Sequence, residues 1–468
     1  MKPAYAEVAR RGLPFGMAPC KMAALFPHFN ALHIPSMTTP SVPSRRDFLK
    51  STSVAAATLA APAIVKGAPD DRRLKIALIG CGGRGGGAAR NALAMDTNAE
   101  LWAMGDVFPG QITATINGLK ADFKDRAEVP EERQFSGLDA YQKVLASNPD
   151  VVLLATPPGF RPLHFAAAVE AGKHIFCEKP VAVDVTGIRS VQASARKAKE
   201  KGLSITCGFC WRYSPSRRAL FDKLLKDQAI GKITNYYATY YTGPVKPMSP
   251  ASERKEGVSD FEWQLRNWYN FSWLGGDSLV EQAVHSVDKT CWAMGDIDPI
   301  SCIANGGRQN PAEGGNIFDH FSCVYEYPGN VFVTVANRQI PNCANENADY
   351  ITGTNGSAII NGSRVQILGE KKWSYPEEQA EKDRDMYDQE HVDFFHSIRN
   401  HLANNDGEWM AHSSLVAIMG RMAAYTGQRI TWKQLLESKE DLAPEEKFQW
   451  DSSFAPHAMP VPGKYPLV

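Results

Sequence analysis

The chain has 468 residues, with 51 Lys+Arg against 51 Asp+Glu and 44% hydrophobic residues. That is a globular composition rather than a disordered one, long enough for two or three domains. Its zero formal charge excludes a nucleic-acid or membrane-surface partner held by bulk electrostatics. Nine cysteines, odd in number and irregular in spacing, read as buried free thiols rather than a disulfide framework. Cys207 and Cys210 form a C-x-x-C without a second pair, and the histidines are scattered, so no metal site is expected.

The leader comes first. No apolar run reaches the ~18 residues needed to span a bilayer. Residues 54–65 are apolar over 12 positions, the length of a signal-peptide core. Ser44-Arg45-Arg46-Asp47-Phe48-Leu49-Lys50 stands just before them. The pair, its spacing and the Ala-rich core resemble a twin-arginine export signal, with Ala61-Pro62-Ala63, or Ala68, as the cleavage region. Met37 is the expected start, and about 64–468 the mature protein. This implies passage through the twin-arginine translocase, no membrane attachment after cleavage, and a periplasmic or otherwise extracytoplasmic location. That route carries folded proteins, so any cofactor would be acquired beforehand.

Leu74–Ile79 is an apolar run suited to a buried parallel strand. It runs into Gly80-Cys81-Gly82-Gly83-Arg84-Gly85, and 88–94 reads as a helix. A G-x-G-x-x-G between strand and helix is the dinucleotide fingerprint: tight turn, close approach of the pyrophosphate, and helix packed on strand. A second strand over 100–104 leads to Asp106, 21 residues beyond Gly85. A carboxylate there accepts bonds from the adenosine ribose and repels a 2′-phosphate, which favours NAD over NADP. Arg84 keeps NADP open, since an arginine near the ribose would pair with that phosphate. The alternation continues through a helix at 141–147, a strand at 150–155 broken by Thr156-Pro157-Pro158, a helix at 164–171 and a strand at His174–Cys177. That strand ends in Glu178-Lys179-Pro180, which puts Lys179 beside the expected nicotinamide position.

Beyond this unit the pattern changes. Residues 233–241 alternate with aromatics, and 318–327 and 331–339 flank Pro328-Gly329-Asn330, a hairpin signal. Ile351, 358–360 and 365–368 read as further strands. The expected organisation is a disordered N-terminus and signal over 1–71, a NAD(P)-binding Rossmann domain over 72–195, and a substrate and oligomerisation domain over 196–468.

Five segments resemble the glucose–fructose oxidoreductase / inositol dehydrogenase / MocA family. They are Ile79 to Gly85, Ala155-Thr156-Pro157, Cys177-Glu178-Lys179-Pro180, Gly208-Phe209-Cys210-Trp211-Arg212-Tyr213-Ser214-Pro215, and Gly275-Gly276 with His285-Ser286-Val287-Asp288. The resemblance implies an α/β chain: an N-terminal Rossmann domain plus a C-terminal α/β domain with a large open, mostly antiparallel sheet. Such sheets are commonly covered by dimer or tetramer formation. The cofactor contacts it implies are Gly80, Gly82, Gly83, Arg84, Gly85, Asp106, Thr156, Pro157, His164, Glu178 and Lys179. Lys179 and His285 align with the catalytic lysine and histidine that bind and deprotonate a hydroxyl. Residues 276–292 read as a helix on which Glu281 and His285, four apart, share a face. The family usually has Asp where Glu281 stands; the longer carboxylate either orients or balances His285, marks a different substrate or reaction, or is a structural helix acid. Asp288 reads as structural. Arg212, Tyr213, Arg266, Asn267 and Trp268 are candidates for a sugar ring.

Three functions are therefore in view. The first is an exported NAD(P)-dependent oxidoreductase acting on a sugar, cyclitol or glycoside. NAD is scarce outside the cytoplasm, which points to a tightly held, recycled cofactor. The second is an NAD-dependent glycoside hydrolase or lyase working by transient oxidation and elimination; its Tyr-Pro-Thr-His-like segment is not found. The third is a cofactor-binding sensor or scaffold without catalysis, against which Lys179 and His285 speak.

Overall fold

A computed structural model describes residues 69–310, 314–443 and 449–468. The arginine pair, the apolar stretch 54–65 and both cleavage candidates lie outside the described residues. No described helix is long and apolar enough to cross a membrane.

Strands β1 (Leu74–Ile79), β2 (Ala99–Asp106), β3 (Gln134–Ser136), β4 (Val151–Leu154), β5 (His174–Cys177) and β6 (Ile205–Cys207) form one parallel sheet in the order β3-β2-β1-β4-β5-β6. Helices α1 (Gly83–Met95), α2 (Pro109–Phe123), α3 (Ala140–Ala146), α4 (Arg161–Glu170) and α5 (Val185–Glu200) alternate with them. Both faces of β1 are covered, Leu74, Ile76 and Leu78 packing in one core and Ala77 and Ile79 in the other. This explains a continuous apolar run without alternation. The strand order reverses between β1 and β4, and a crevice opens there at the carboxyl ends.

The boundary at residue 195 falls inside α5, and the strand after that helix completes the parallel sheet. The parallel-sheet unit therefore extends to Cys207. Cys207 and Cys210 are free and buried, and burial pushes both thiols up. Cys343 is exposed, unlike the seven other described cysteines.

The second sheet has nine strands: β7 (Ile233–Thr242), β8 (Ser301–Gly307), β9 (His320–Tyr327), β10 (Val331–Gln339), β11 (Ala348–Gly353), β12 (Gly356–Asn361), β13 (Arg364–Gly369), β14 (Trp373–Ser374) and β15 (Ile430–Thr431). All neighbours are antiparallel except β7 and β10. Its inner face packs on α7 (Val284–Ala293) and α9 (Gly407–Thr426), with α6 (Pro215–Leu225) beside them. The close approach of α9 requires Gly420, where a Cβ would stand 2.3 Å from the Tyr325 hydroxyl. Between β14 and α9 the chain returns to the first sheet. There α8 (Met386–Arg399) seals a core through Phe394, Phe395 and Ile398, each contributing about 1.5–3 kcal/mol on burial. Arg399 fixes this return by donating to both carboxylate oxygens of Asp96, at 2.9 Å each.

Candidate active site

The glycine loop crosses the carboxyl ends of β1 and β4. Gly80 has φ +93°, and a Cβ there would lie 2.6 Å from the Ala155 carbonyl carbon. At Gly85 a Cβ would come within 1.9 Å of the Gly80 oxygen, so α1 docks on the turn only because both are glycines. Above Gly82 and Gly83 there is open space. No side chain caps α1 and no acid stands in its first turn, leaving its amino end open to an anion. Asp106 closes the loop, accepting from the Cys81 N–H at 2.7 Å and the Phe108 N–H at 2.9 Å. Burial raises its pKa.

A cavity of about 430 Å³ opens over this loop, lined by Gly80, Gly82, Asp106, Thr156, Pro157 and His164, all in the expected cofactor set. The His164 ring packs 4.4 Å from Tyr141, and its Nδ1 lies 3.1 Å from the Thr156 hydroxyl. Burial lowers its pKa to about 4, so the imidazole is neutral. The open glycines, the uncapped helix and the carboxylate at the end of β2 fit a dinucleotide.

Lys179 follows β5 directly. Arg161 holds the next carbonyl, Pro180 O, at 2.6 Å, which anchors the turn. The Lys179 ammonium donates to the Glu281 carbonyl at 2.7 Å and lies 3.4 Å from the Glu281 carboxylate and 3.3 Å from the Gln282 amide oxygen. The expected helix over 276–292 is corrected here. Gly276 and Asp277 have φ of +82° and +84°, and Leu279–Ala283 forms one turn of π-helix before α7 begins. Neighbouring residues on an α-helix diverge by about 100°. The wider turn brings both Glu281 and Gln282 onto one ammonium, a distortion typical of functional sites.

His285 lies on the first turn of α7, buried edge-on to Phe209 with ring centroids 6.1 Å apart. Burial, then the charges of Lys179, Lys289 and Arg84, hold its pKa well below the ordinary 6.5. A depressed pKa keeps the proton-accepting form as pH falls. The acid limb of kcat/KM is therefore expected well below pH 6.5; a limb at or above that value in a pH-rate profile contradicts His285 as the base.

Several expected contacts lie elsewhere. The Arg84 guanidinium pairs with Glu178 and Glu390, which commits its charge there rather than to a 2′-phosphate. Glu178 is buried beneath the lysine turn, accepting from Arg84 and from the Lys179 N–H, and does not line the cavity. Arg212 is committed to Asp288 and Asp296 and lies over Trp409. The Tyr213 hydroxyl donates to Asp406 at 2.6 Å. Both side chains brace the fold rather than reach for substrate. Asn267 is buried, accepting from the Ser249 N–H at 2.9 Å and donating to Trp263 O at 3.1 Å. Trp268 and Arg266 do line the cavity.

Phe108, Gln111, Leu138, Phe160, Lys246, Ser249 and Leu265 also line it, and the sequence reading did not single them out. Lys246 and Ser249 stand in an irregular stretch without periodicity or motif. Among the described residues no group of three or more His, Cys, Asp or Glu is placed to hold a metal.

Crevice, glycine loop and lysine turn together define an oxidoreductase with an NAD-binding Rossmann domain. Residues 74–206 match the model of the oxidoreductase family with NAD-binding Rossmann fold, and residues 219–359 match the GFO/IDH/MocA C-terminal domain, together more than half of the chain. The chain belongs to the GFO/IDH/MocA family. It is 29% identical over 180 residues to a levoglucosan dehydrogenase of Pseudarthrobacter phenanthrenivorans, covering 38% of this chain and only 42% of that relative. An inositol 2-dehydrogenase of Acidothermus cellulolyticus is 22% identical over 353 residues, covering 74% of this chain and 91% of the relative. A solved levoglucosan dehydrogenase in complex with NADH and levoglucosan shares the fold, with TM-score 0.61 and 18% identity over 76% of this chain and 99% of that one.

Proposed function

We propose that the protein oxidises a secondary hydroxyl of a sugar or cyclitol to a ketone, with NAD as the partner. One observation carries this reading: the Lys179 ammonium, held by the Glu281 carbonyl, stands at the strand end beside a histidine kept neutral. NAD, when bound, accepts the hydrogen and two electrons that leave the carbinol carbon. The imidazole of His285 takes the hydroxyl proton, and Lys179 stabilises the developing alkoxide. Glu281 and Gln282 aim the ammonium. Asp106 favours NAD over NADP, since a carboxylate there repels a 2′-phosphate. The similarity to an inositol and a levoglucosan dehydrogenase supports this substrate class.

The reading extends to location and assembly. Arg45-Arg46 and the 54–65 core support export through the twin-arginine translocase to the periplasm, with NAD carried along. A dimer or tetramer would cover the outer face of the nine-stranded sheet. Strand register puts Ile303, Phe332 and Leu368, exposed by 44, 44 and 38%, on that face beside the stacked Tyr237 and Tyr350.

The test is to purify the protein without added cofactor, release and assay NAD(H), and follow reduced nicotinamide over a panel of sugars and cyclitols. Substrate-dependent reduction supports the reading. Cofactor binding with no reduction and no cleavage across the panel favours the non-catalytic scaffold.

A further inference from the structure

Lys246 belongs to two cavities at once. It lines the dinucleotide groove, and it also lines a second cavity of about 150 Å³ walled by Tyr269, Asn270, Arg308, Asp319 and Gln339. The wall also includes Phe318, whose carbonyl accepts from the Ser278 hydroxyl at 3.1 Å and whose N–H donates to Asp277 at 2.8 Å, just ahead of the π-turn that carries Glu281, so this second cavity adjoins that end of the site.

Its charges do not balance. Among the described residues the Lys246 ammonium makes no ion pair or hydrogen bond, and it rests 5.2 Å from the face of Trp268. Arg308 donates to the Ile317 carbonyl at 2.8 Å and to the Gly314 carbonyl at 3.2 Å, neutral acceptors, and no carboxylate bonds it directly. Asp319, the one acid in the wall, is committed on both oxygens. One faces His320 Nδ1 at 2.7 Å, and the other accepts from the Gln309 and Asn310 N–H groups at 2.8 Å each. Two half-buried cations that no carboxylate bonds directly are costly unless a ligand brings one. The remaining polar wall suits hydroxyls. The Tyr269 hydroxyl and the Gln339 amide bond each other at 2.7–2.9 Å, and Asn270 donates to Lys246 O at 3.2 Å.

We propose that this cavity holds the carboxylate of a sugar acid, a uronate or aldonate, between Lys246 and Arg308, with its carbinol toward Lys179 and His285. The inference rests on the hydroxyl-oxidising reading of the same site and names its substrate class. It also gives Lys246 a task distinct from holding the dinucleotide.

The test is calorimetric binding to the NAD-loaded full chain, with glucuronate and gluconate as acidic probes and glucose as the neutral one. At least one acid is expected to bind about tenfold tighter than glucose, and the gap should shrink with added salt. Lys246→Gln, titrated at saturating NAD, is expected to bring acid and neutral sugar within about threefold of each other. Because Arg308 also holds its loop, Arg308→Lys serves as the second variant: it keeps the charge and should keep the preference for acids. Equal binding of glucose and both acids, no binding of either acid, or loss of NAD rather than acid affinity in Lys246→Gln would each overturn the proposal. Reduced nicotinamide followed in parallel separates the two readings. Glucose oxidised without acid preference leaves the oxidoreductase reading standing and removes this one. An acid bound through Lys246 but never oxidised does the reverse.

Discussion

Lys179→Met is expected to lower kcat by a factor of about 10²–10⁴ while NAD content stays at the wild-type level. Methionine keeps much of the length and removes the charge. The Glu281 carbonyl, the Glu281 carboxylate and the Gln282 amide oxygen then lose the donor they share. A developing alkoxide would face a carboxylate with no cation between them, which is why the loss falls on kcat. The dinucleotide cavity is lined by other residues, so its occupancy should not change. Removing a positive neighbour also relieves part of the pressure on His285, so any residual activity should show its acid limb at higher pH. Bound NAD with unchanged turnover would exclude Lys179 from the chemistry and revive the scaffold reading. Loss of bound NAD would make the lysine a cofactor contact instead.

Legibility followed the range over which each feature is encoded. The strand, glycine turn and helix at 74–95 are contiguous, and each glycine has a local steric reason, so the cradle could be read directly. The hairpin between β9 and β10 was equally local, turning on Gly329 and Asn330 with φ of +83° and +59°. Arg212 and Tyr213 misled because a charged and a phenolic side chain after a strand look available. Their partners Asp288, Asp296 and Asp406 come from 76, 84 and 193 residues away, and only the fold brings them in. Arg84 was misread for the same reason, its second carboxylate being Glu390, 306 residues distant. The π-turn leaves no mark on a sequence that reads as ordinary helix. It follows from Asp277, whose carboxylate is held by the Ser278 N–H, the Phe318 N–H and the Tyr425 hydroxyl before the helix begins. The boundary at 195 put β6 in the wrong unit because a strand of three residues does not show which sheet it joins.

Behind the catalytic histidine a second large effect is expected. Lys289→Met should destabilise the protein by about 3–5 kcal/mol, read as a lower denaturant midpoint. Lys289 lies one turn beyond His285 on α7 and pairs with Asp349 on β11, their side chains 1% and 0% exposed. Burial lowers the lysine's pKa and the aspartate draws it back up. The pair ties the helix that carries His285 to the centre of the second sheet. Without the lysine, Asp349 is left as a buried charge with no cation bonded to it. Arg217, stacked 3.7 Å from the Trp211 ring and close enough to interact with Asp349, limits the loss and places it toward the low end of the range. Lys289→Met with Asp349→Leu should recover most of the stability, because two apolar side chains need no compensation. A single variant as stable as the wild type would show that Arg217 alone balances Asp349. If it folds, that variant should also shift the acid limb of kcat/KM upward, since Lys289 is one of the charges that keep His285 unprotonated. The limb should remain below pH 6.5, because burial, the larger cause, is untouched.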